Sequence, residues 1–234
     1  LMPAGGGDYD YHNPLFLRPT DISEYYTALL QFLKSSIAFD ELRFDGIRDA
    51  RGAETPEAQW RKGEMCPLLH LNTMQTSADL LPHLRTSLRG DLRRQMRRIE
   101  ESVGPLQMVE IKTHDEAMKQ YDLFMQSHRQ RWPNAYKTPG FHDALLSDRL
   151  LADSVSFTVL MAGDKSLAWH LGFQDKKAYY YYMPAGNPEY LPFSPVKVHL
   201  LKLMERAIDR GMTIYDHLRG EENYTSGWSD DSQC

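Results

Sequence analysis

Three neighbouring segments near the end of the chain decide its fold: AYYYYM (residues 178–183), PVKVHLLKLMERAID (195–209) and MTIYDHLRG (212–220). Four consecutive tyrosines favour a strand, because aromatic rings pack well on a pleated surface. The second segment has apolar residues at helical spacing, and Ser194-Pro195 supplies a cap and a first helical residue. Gly211 stands where a left-handed helix cap belongs. The segments predict a β-α-β unit whose second strand ends in charged and glycine residues, as ligand-binding edges often do.

The composition is that of a folded globular protein. Of 234 residues, 41% are hydrophobic and 25% are charged, so the chain is long enough for one large or two small domains. A net charge of −5 argues against a general nucleic-acid binder. No apolar run approaches the roughly 20 residues of a membrane span. Two cysteines form no disulfide framework, which favours a reducing compartment and predicts a cytoplasmic protein.

Further helix and strand patterns precede the decisive segments. We predict helices over residues 22–36, 57–61, 78–101, 115–131 and 141–152. We predict strands over residues 42–47, 66–71, 106–111, 155–162 and 167–173, the last two joined by a Gly163-Asp164 hairpin turn. The three antiparallel strands followed by a helix and a further strand indicate an α+β fold, with a mixed, mostly antiparallel central sheet flanked by helices.

Two motifs carry a resemblance to a known family. The first is an arginine-rich helix, LRTSLRGDLRRQMRR (84–98), and the second is DHLRGEENY (216–224) followed by Trp228. Together they resemble the GNAT acyltransferase superfamily and, within it, the CelD-like branch associated with cellulose and exopolysaccharide synthesis. That branch ends in Asp-x-x-x-Gly-x-x-x-Tyr-Lys-x-x-Trp, and Thr225 stands here in place of the lysine.

The resemblance implies a GNAT-like domain over residues 73–234. Since such proteins look like tandem GNAT folds, residues 1–72 are expected to be a remnant, or the second half, of a preceding GNAT-like module. The implied activity moves an acyl group from a thioester donor, usually acyl-CoA, to an amine or hydroxyl acceptor, which is a small molecule or related to a polysaccharide.

Two alternatives stay open. One is a Fem-like aminoacyl transferase of cell-wall synthesis, with aminoacyl-tRNA as donor, and the other is a non-catalytic GNAT-like binding or assembly protein. Typical GNAT enzymes bind the donor pyrophosphate on a glycine-rich turn before the helix that begins here at Pro195. The corresponding residues 191–196 contain Pro192 and Pro195 but no Gly-x-Gly. Each proline removes an N–H donor, and this departure favours both alternatives.

The resemblance and the residue chemistry together assign a candidate site. Asp216 and His170 are candidate bases for the acceptor proton, and Tyr182 is a candidate acid toward the leaving thiolate. Backbone N–H groups near Tyr182 and Met183 are expected to polarise the thioester carbonyl. A structural interpretation of Asp216, capping the following turn and pairing with Arg219, stays equally open.

The donor phosphates are expected at the start of the helix over residues 195–209, where free N–H groups and the helix dipole favour anions. The candidate donor-binding residues are Ser194, Val196, Lys197, Val198 and Arg219. His128, His142 and Trp132 are expected to border the acceptor entrance. No spacing of histidines, cysteines or carboxylates suggests a metal site.

Four arginines recur every four residues in the first motif, at Arg85, Arg89, Arg93 and Arg97. One interpretation is an amphipathic helix with a solvated basic face. The other is a docking surface between Arg85 and Arg98 for an anionic partner, such as a phosphorylated carrier, an acidic polymer or tRNA.

Overall fold

The computed structural model describes residues 11, 21–44, 46–47, 63–134, 140–220 and 227–233. The predicted helix over residues 57–61 lies outside these ranges. The strands are β1 Cys66–His70, β2 Leu106–Ile111, β3 Val155–Ala162, β4 Lys165–Gln174, β5 Ala178–Gly186, β6 Ile214–Asp216 and β7 Asp231–Gln233. The helices are α1 Ile22–Ser36, α2 Leu80–His83, α3 Thr86–Ser102, α4 His114–Arg131, α5 Phe141–Leu145, α6 Asp148–Asp153 and α7 Pro195–Asp209. Two 3₁₀ helices cover Ser77–Asp79 and Pro188–Phe193.

The described strands form one seven-stranded sheet in the order β2-β3-β4-β5-β6-β1-β7. Neighbouring strands are antiparallel except β5 and β6, which are parallel and joined by the crossover helix α7. The expected α+β architecture with a mixed, mostly antiparallel sheet is therefore confirmed. β1 lies within the predicted first module, yet it is hydrogen-bonded between β6 and β7 in this same sheet. The division at residue 72 stays a prediction.

β5 contains a bulge in the middle of the tyrosine run. Phe173 of β4 is paired with Tyr180, and Leu171 is paired with Met183, so two steps along β4 correspond to three along β5. The extra residue falls at Tyr181–Tyr182 and interrupts the regular alternation of side chains. As a result, Tyr181 packs on the side of the sheet covered by α7, whereas Met183 packs on the side covered by α4. We call these sides the α7 face and the α4 face.

Strands β5 and β6 separate beyond the bulge. Their last paired residues are Tyr180 and Asp216, where β6 ends, but β5 continues to Gly186. Residues 181–186 of β5 therefore have no β6 partner in the described chain. We call this gap between the two strands the splay, with a closed end at the Tyr180–Asp216 pair and an open end at Gly186.

Each face of the sheet has its own apolar core. On the α7 face, the buried rings of Tyr179, Tyr181 and Tyr215 pack with apolar side chains of α7 and with Trp228. On the α4 face, the buried side chains of β3, β4 and the end of β5 pack with those of α4, α5 and α6. The two helical layers hold the splay in the middle of the molecule.

Several predicted elements are corrected by the structure. The predicted strand over residues 42–47 is absent among its described residues. The helix predicted over residues 78–101 is divided into a 3₁₀ turn, α2 and α3, because Leu84 and Arg85 adopt extended backbone angles after Pro82. β5 continues past the predicted segment 178–183 through Pro184 to Gly186, since a proline is tolerated where a strand has an unpaired side. β7 was not predicted, because its residues Asp231–Gln233 are all polar and carry no apolar alternation.

Other local predictions are confirmed. The helix over residues 22–36 has the predicted bounds, and Gly163-Asp164 joins β3 to β4 as a two-residue turn. Gly211 has a φ of 71°, in the left-handed region expected of a residue that ends a helix.

Gly172 lies opposite the bulge, and its replacement is the first testable prediction. A Cβ atom there would lie 2.7 Å from the Tyr180 carbonyl oxygen and 2.5 Å from Cε1 of His170. We expect Gly172→Ala to lower the free energy of unfolding by about 1–3 kcal/mol, because the bulge backbone has to shift. Chemical denaturation measures this change. Gly90→Ala in α3 is the matched control, since nothing lies within 4 Å of its added Cβ. An unchanged stability of Gly172→Ala would contradict the close approach.

Candidate active site

The closed end of the splay is marked by a buried carboxylate. Asp216 is 1% exposed and accepts a hydrogen bond from the Leu218 N–H at 2.8 Å. The Tyr11 hydroxyl lies 3.1 Å from each carboxylate oxygen. Leu218 has a φ of 61°, so the carboxylate stabilises a left-handed turn directly after β6. The capping interaction of the structural interpretation is therefore present, while Arg219 is exposed and forms an ion pair with Glu64 at 3.4 Å.

His217 follows Asp216 and lies on the α7 face. Its ring is 6% exposed and lies 5.3 Å from the Tyr215 ring and 6.1 Å from the Tyr181 ring, between centroids. Burial lowers the pKa of His217 to about 4, so the imidazole is neutral at physiological pH. Neither ring nitrogen has a hydrogen-bond partner among the described residues. Buried polar groups are rarely left in this state, which makes His217 a candidate for contact with a ligand.

His170 lies on the α7 face of β4 and is 1% exposed. Its Nδ1 lies 3.0 Å from the Tyr179 hydroxyl, and its ring stacks on Tyr181 with a 4.4 Å centroid separation and an 8° interplanar angle. Its Nε2 has no partner within the described part of the chain. Burial first, and then the nearby His199 and Arg206, hold the pKa of His170 well below its usual value. His170 is thus a neutral, oriented imidazole.

A partly buried polar network is connected to His170 through the Tyr179 hydroxyl. Arg206 forms an ion pair with Glu110 at 3.0 Å and donates to Ser156 Oγ at 2.6 Å. The Tyr179 hydroxyl donates to the same Ser156 oxygen at 3.2 Å and connects it to His170. Sequence patterns did not identify Ser156, Glu110 or Arg206. These residues lie on three separate elements, so no local motif connects them.

Tyr182 lies on the opposite, α4 face of the sheet. Its hydroxyl is 3.3 Å from Nε2 of His142, and the two rings are nearly parallel, at 11° with a 6.2 Å centroid separation. Burial first, and then the charge of His142, lower the pKa of His128 to about 4. Tyr182, the candidate acid, and His142, which was expected at the acceptor entrance, are thus in contact beside the bulge. Trp132 is 37% exposed at the end of α4.

The open end of the splay lies against the start of α7. A Cβ atom on Gly186 would lie 2.8 Å from Leu191 and 2.9 Å from Val196, so these two side chains pack directly on the end of β5. Ser194 occupies the cap position with a φ of 53°, but its side chain makes no capping hydrogen bond, contrary to expectation. Only its backbone takes part, since the Ser194 carbonyl accepts the N–H groups of Lys197 and Val198 at 3.1 and 3.4 Å.

Lys197 is directed toward α3 rather than left free. Its ammonium lies 2.8 Å from Asp91, and this hydrogen bond is the largest cause of the lowered pKa of that carboxyl. Of the predicted donor-binding residues, Val196 therefore lies at the open end of the splay. The Lys197 side chain is instead held in an ion pair with Asp91. Arg219 lies beyond the other end of the splay, after β6.

The arginines of α3 are not equivalent. Arg94 pairs with Asp91, Arg98 bonds to Gln95 at 3.2 Å, and Arg89 is half-buried. Arg93 and Arg97 are exposed one turn apart, and Arg97 lies 3.9 Å from Glu101. Arg85, Arg94 and Arg98 are exposed as well. Most of the arginines in the sequence pattern therefore lie at the surface.

Neither a metal site nor a membrane-spanning helix is found in the described ranges. Within them, no group of three or more histidine, cysteine or carboxylate side chains is arranged to hold a metal ion. None of the helices there has the length and apolar character needed to cross a membrane.

Comparison with protein families identifies the class. Residues 86–226, more than half of the chain, match the family described as acetyltransferase (GNAT) domain. The chain therefore belongs to this family. No curated protein sequence matches it.

Solved structures share the fold at low sequence identity. FemX superposes with a TM-score of 0.56 at 11% identity, over 86% of this chain and 69% of its own. A conserved protein of unknown function from Bacteroides thetaiotaomicron VPI-5482 gives a TM-score of 0.56 at 10% identity, over 86% and 67%. The C-terminal DUF2156 domain assigned to lysylphosphatidylglycerol synthetase from Agrobacterium fabrum gives 0.46 at 12% identity, over 67% of this chain and 47% of its own. At identities of 10% and 11%, the similarities to the Bacteroides thetaiotaomicron protein and to FemX show a shared fold alone.

Proposed function

We propose that this GNAT-family protein transfers an acyl group from a thioester donor, acyl-CoA, to an amine or hydroxyl acceptor. The observation that carries the proposal is the splay with a bulge at Tyr181–Tyr182 beside its closed end. A bulge frees backbone groups from the ladder, and an N–H group freed in this way is suited to polarise a thioester carbonyl. In this proposal the donor lies along the gap between the strands.

The remaining roles follow from the side chains that flank the splay. The acceptor attacks the thioester carbonyl carbon, Asp216 takes the acceptor proton, and the carbon–sulfur bond breaks. Tyr182 gives its proton to the departing thiolate, and His142 at 3.3 Å holds the Tyr182 hydroxyl in place. His170, fixed by Tyr179 and the stack on Tyr181, shapes the α7 face of the site.

The start of α7 supports a second candidate, aminoacyl transfer of the Fem-like kind. The Lys197 and Val198 N–H groups already donate to the Ser194 carbonyl, and the Lys197 ammonium is paired with Asp91. These groups are poorly available to a donor pyrophosphate, although Val196 remains at the open end. The fold shared with FemX is compatible with this candidate. A role in exopolysaccharide or cellulose synthesis, and a cytoplasmic location, stay predictions from the sequence.

Melting curves with a ligand panel test the proposal. Acetyl-CoA, longer acyl-CoAs and free CoA are each added at about a hundredfold excess over a micromolar Kd. A donor that binds the folded state is expected to stabilise it by about 2.7 kcal/mol. Release of free thiol on addition of an amine or hydroxyl acceptor panel then measures turnover. Stabilisation without thiol release favours a non-catalytic binding protein, and no stabilisation by any CoA compound rejects the acyl-CoA donor.

The exposed arginines of α3 supply a further prediction. We propose that Arg93 and Arg97 bind an anionic partner or acceptor. Arg93→Glu with Arg97→Glu is expected to change the free energy of unfolding by less than about 0.5 kcal/mol, since exposed charges contribute little to stability. Activity on the natural acceptor is expected to fall, and the wild-type interaction is expected to weaken with salt. Lys119→Glu with Lys176→Glu carries the same charge change on exposed lysines outside α3 and serves as the control. If the arginine variant keeps full activity, Arg93 and Arg97 are only solvent-exposed surface residues and the proposed anion binding is wrong.

A further inference from the structure

Three buried ring nitrogens surround Tyr181 without hydrogen-bond partners among the described residues: Nε2 of His170 and both nitrogens of His217. His170 stacks on one side of the Tyr181 ring, and His217 meets it edge-on at 68°. Each unpaired buried polar group costs about 1–3 kcal/mol, so a bound molecule that satisfies these three nitrogens is favoured.

His217 is placed where the donor's acyl group would lie. The open end of the splay, at Gly186, is beside the start of α7, and the closed end is at Tyr180 and Asp216. A donor whose phosphates lie toward α7 and whose thioester lies at the bulge directs its acyl group to the closed end. The first residues beyond the last strand pair are Tyr181, which continues β5, and His217, which directly follows β6.

The charge state of the histidines restricts what they recognise. His217 and His170 both have a pKa lowered by burial and are neutral at physiological pH. A neutral imidazole has one N–H donor and one nitrogen acceptor, which suits a hydroxyl or amide group. It gives an anionic carboxylate no compensating positive charge, and a plain acetyl group leaves the ring nitrogens unpaired.

We propose that His217 is a specificity-determining residue that selects acyl groups bearing an uncharged hydrogen-bonding substituent, such as a hydroxyl group. This inference rests on the proposed acyl-CoA function. In this proposal the acyl chain lies on the α7 face of the splay. His217 contacts the acyl chain directly, and His170 stacks on Tyr181, which His217 meets edge-on.

The test uses matched donors that differ by one hydroxyl group. Dissociation constants are measured for butyryl-CoA, both enantiomers of 3-hydroxybutyryl-CoA, and 4-hydroxybutyryl-CoA. The wild-type protein is expected to bind at least one hydroxylated donor about tenfold or more tightly than butyryl-CoA, because a site built to bond a hydroxyl group disfavours the analogue that lacks it. In His217→Phe this preference is expected to vanish or reverse.

Two further variants separate this role from a structural one. His199 is also buried on α7, but its Nε2 is bonded to the Thr158 hydroxyl at 3.0 Å, so His199→Phe is expected to lower stability and keep the hydroxyl preference. Unliganded His217→Phe is expected to melt at or above the wild-type temperature, since it removes unpaired polar atoms. If His217→Phe does not fold, His217→Gln keeps a donor and an acceptor and is expected to retain part of the preference.

The outcomes distinguish the two proposals. Equal or tighter binding of butyryl-CoA by the wild-type protein overturns the inference and leaves acyl transfer standing. An unchanged hydroxyl preference in His217→Phe likewise overturns the role of His217. If no CoA ester binds the wild-type protein, the acyl-CoA function itself fails, and the inference fails with it.

Discussion

The free energy of unfolding is expected to fall steeply as the pH drops below about 6.5. Three buried histidines have folded-state pKa values lowered by burial, to about 4 for His128 and His217 and to about 3 for His199. His170 is shifted in the same direction. In the unfolded chain each histidine has a pKa near 6.5. Between these values the unfolded chain binds more protons than the folded protein, so acidification favours unfolding.

The size of this effect is large compared with ordinary stabilities. Each histidine contributes a slope of about 1.4 kcal/mol per pH unit, which amounts to about 2 kcal/mol at pH 5. The three together approach about 6 kcal/mol, against a typical total of about 5–15 kcal/mol. This stability is fully present above pH 6.5 and is lost progressively toward pH 4. Chemical denaturation at half-unit pH steps measures the slope.

A histidine variant identifies the source of the slope. His128→Gln removes one buried titrating group and is expected to reduce the slope by about 1.4 kcal/mol per pH unit between pH 4 and 6.5. His83→Gln on α2, where His83 is exposed, is the control for the substitution itself. A flat stability between pH 7 and pH 5 would contradict the neutral buried imidazoles.

Asp216→Asn is expected to lower turnover by about 10²–10⁴-fold while leaving melting close to that of the wild type. The asparagine oxygen can still accept the Leu218 N–H, and its amide can reach the Tyr11 hydroxyl, so the turn after β6 is retained. What the substitution removes is the charge and the ability to take the acceptor proton. Thiol release and thermal melting on the same preparation measure the two effects separately.

Two comparisons decide between the roles of Asp216. Asp216→Ala also removes the hydrogen bonds and is expected to cost about 1–3 kcal/mol of stability. Asp230→Asn, which alters a carboxylate bonded to His70 at 3.1 Å on the neighbouring strand, is the control for charge removal. If Asp216→Asn loses stability but keeps wild-type turnover, the residue only holds the turn. Wild-type behaviour in both assays would reject both roles.

Local patterns in the sequence predicted most elements of the GNAT domain. Three of these patterns are the helical period of residues 195–209, the glycine that ends this helix and the Gly163-Asp164 turn. Each depends only on residues close together in sequence, so it can be recognised without knowing the fold. The same patterns predicted Asp216 at the end of a strand and Tyr182 within the tyrosine strand, and the resemblance supplied the chemistry proposed for them. The long helix over residues 78–101 was wrong because a uniform arginine period concealed the break at Leu84 and Arg85.

The sequence by itself determined the order of strands and helices along the chain and the mixed sheet, since these depend on periodicity and local turn chemistry. The family came from the resemblance carried by its two motifs, residues 84–98 and 216–228. Only the tertiary structure decided the bulge at Tyr181–Tyr182 and the insertion of β1 beside β6. The same holds for the nitrogens of His170 and His217 that have no partner within the described part of the chain. Each of these depends on which strands pair and in what register, and on contacts between residues distant in the chain. A tyrosine run is equally compatible with regular and bulged pairing, so the face on which each ring packs is decided by the sheet around it.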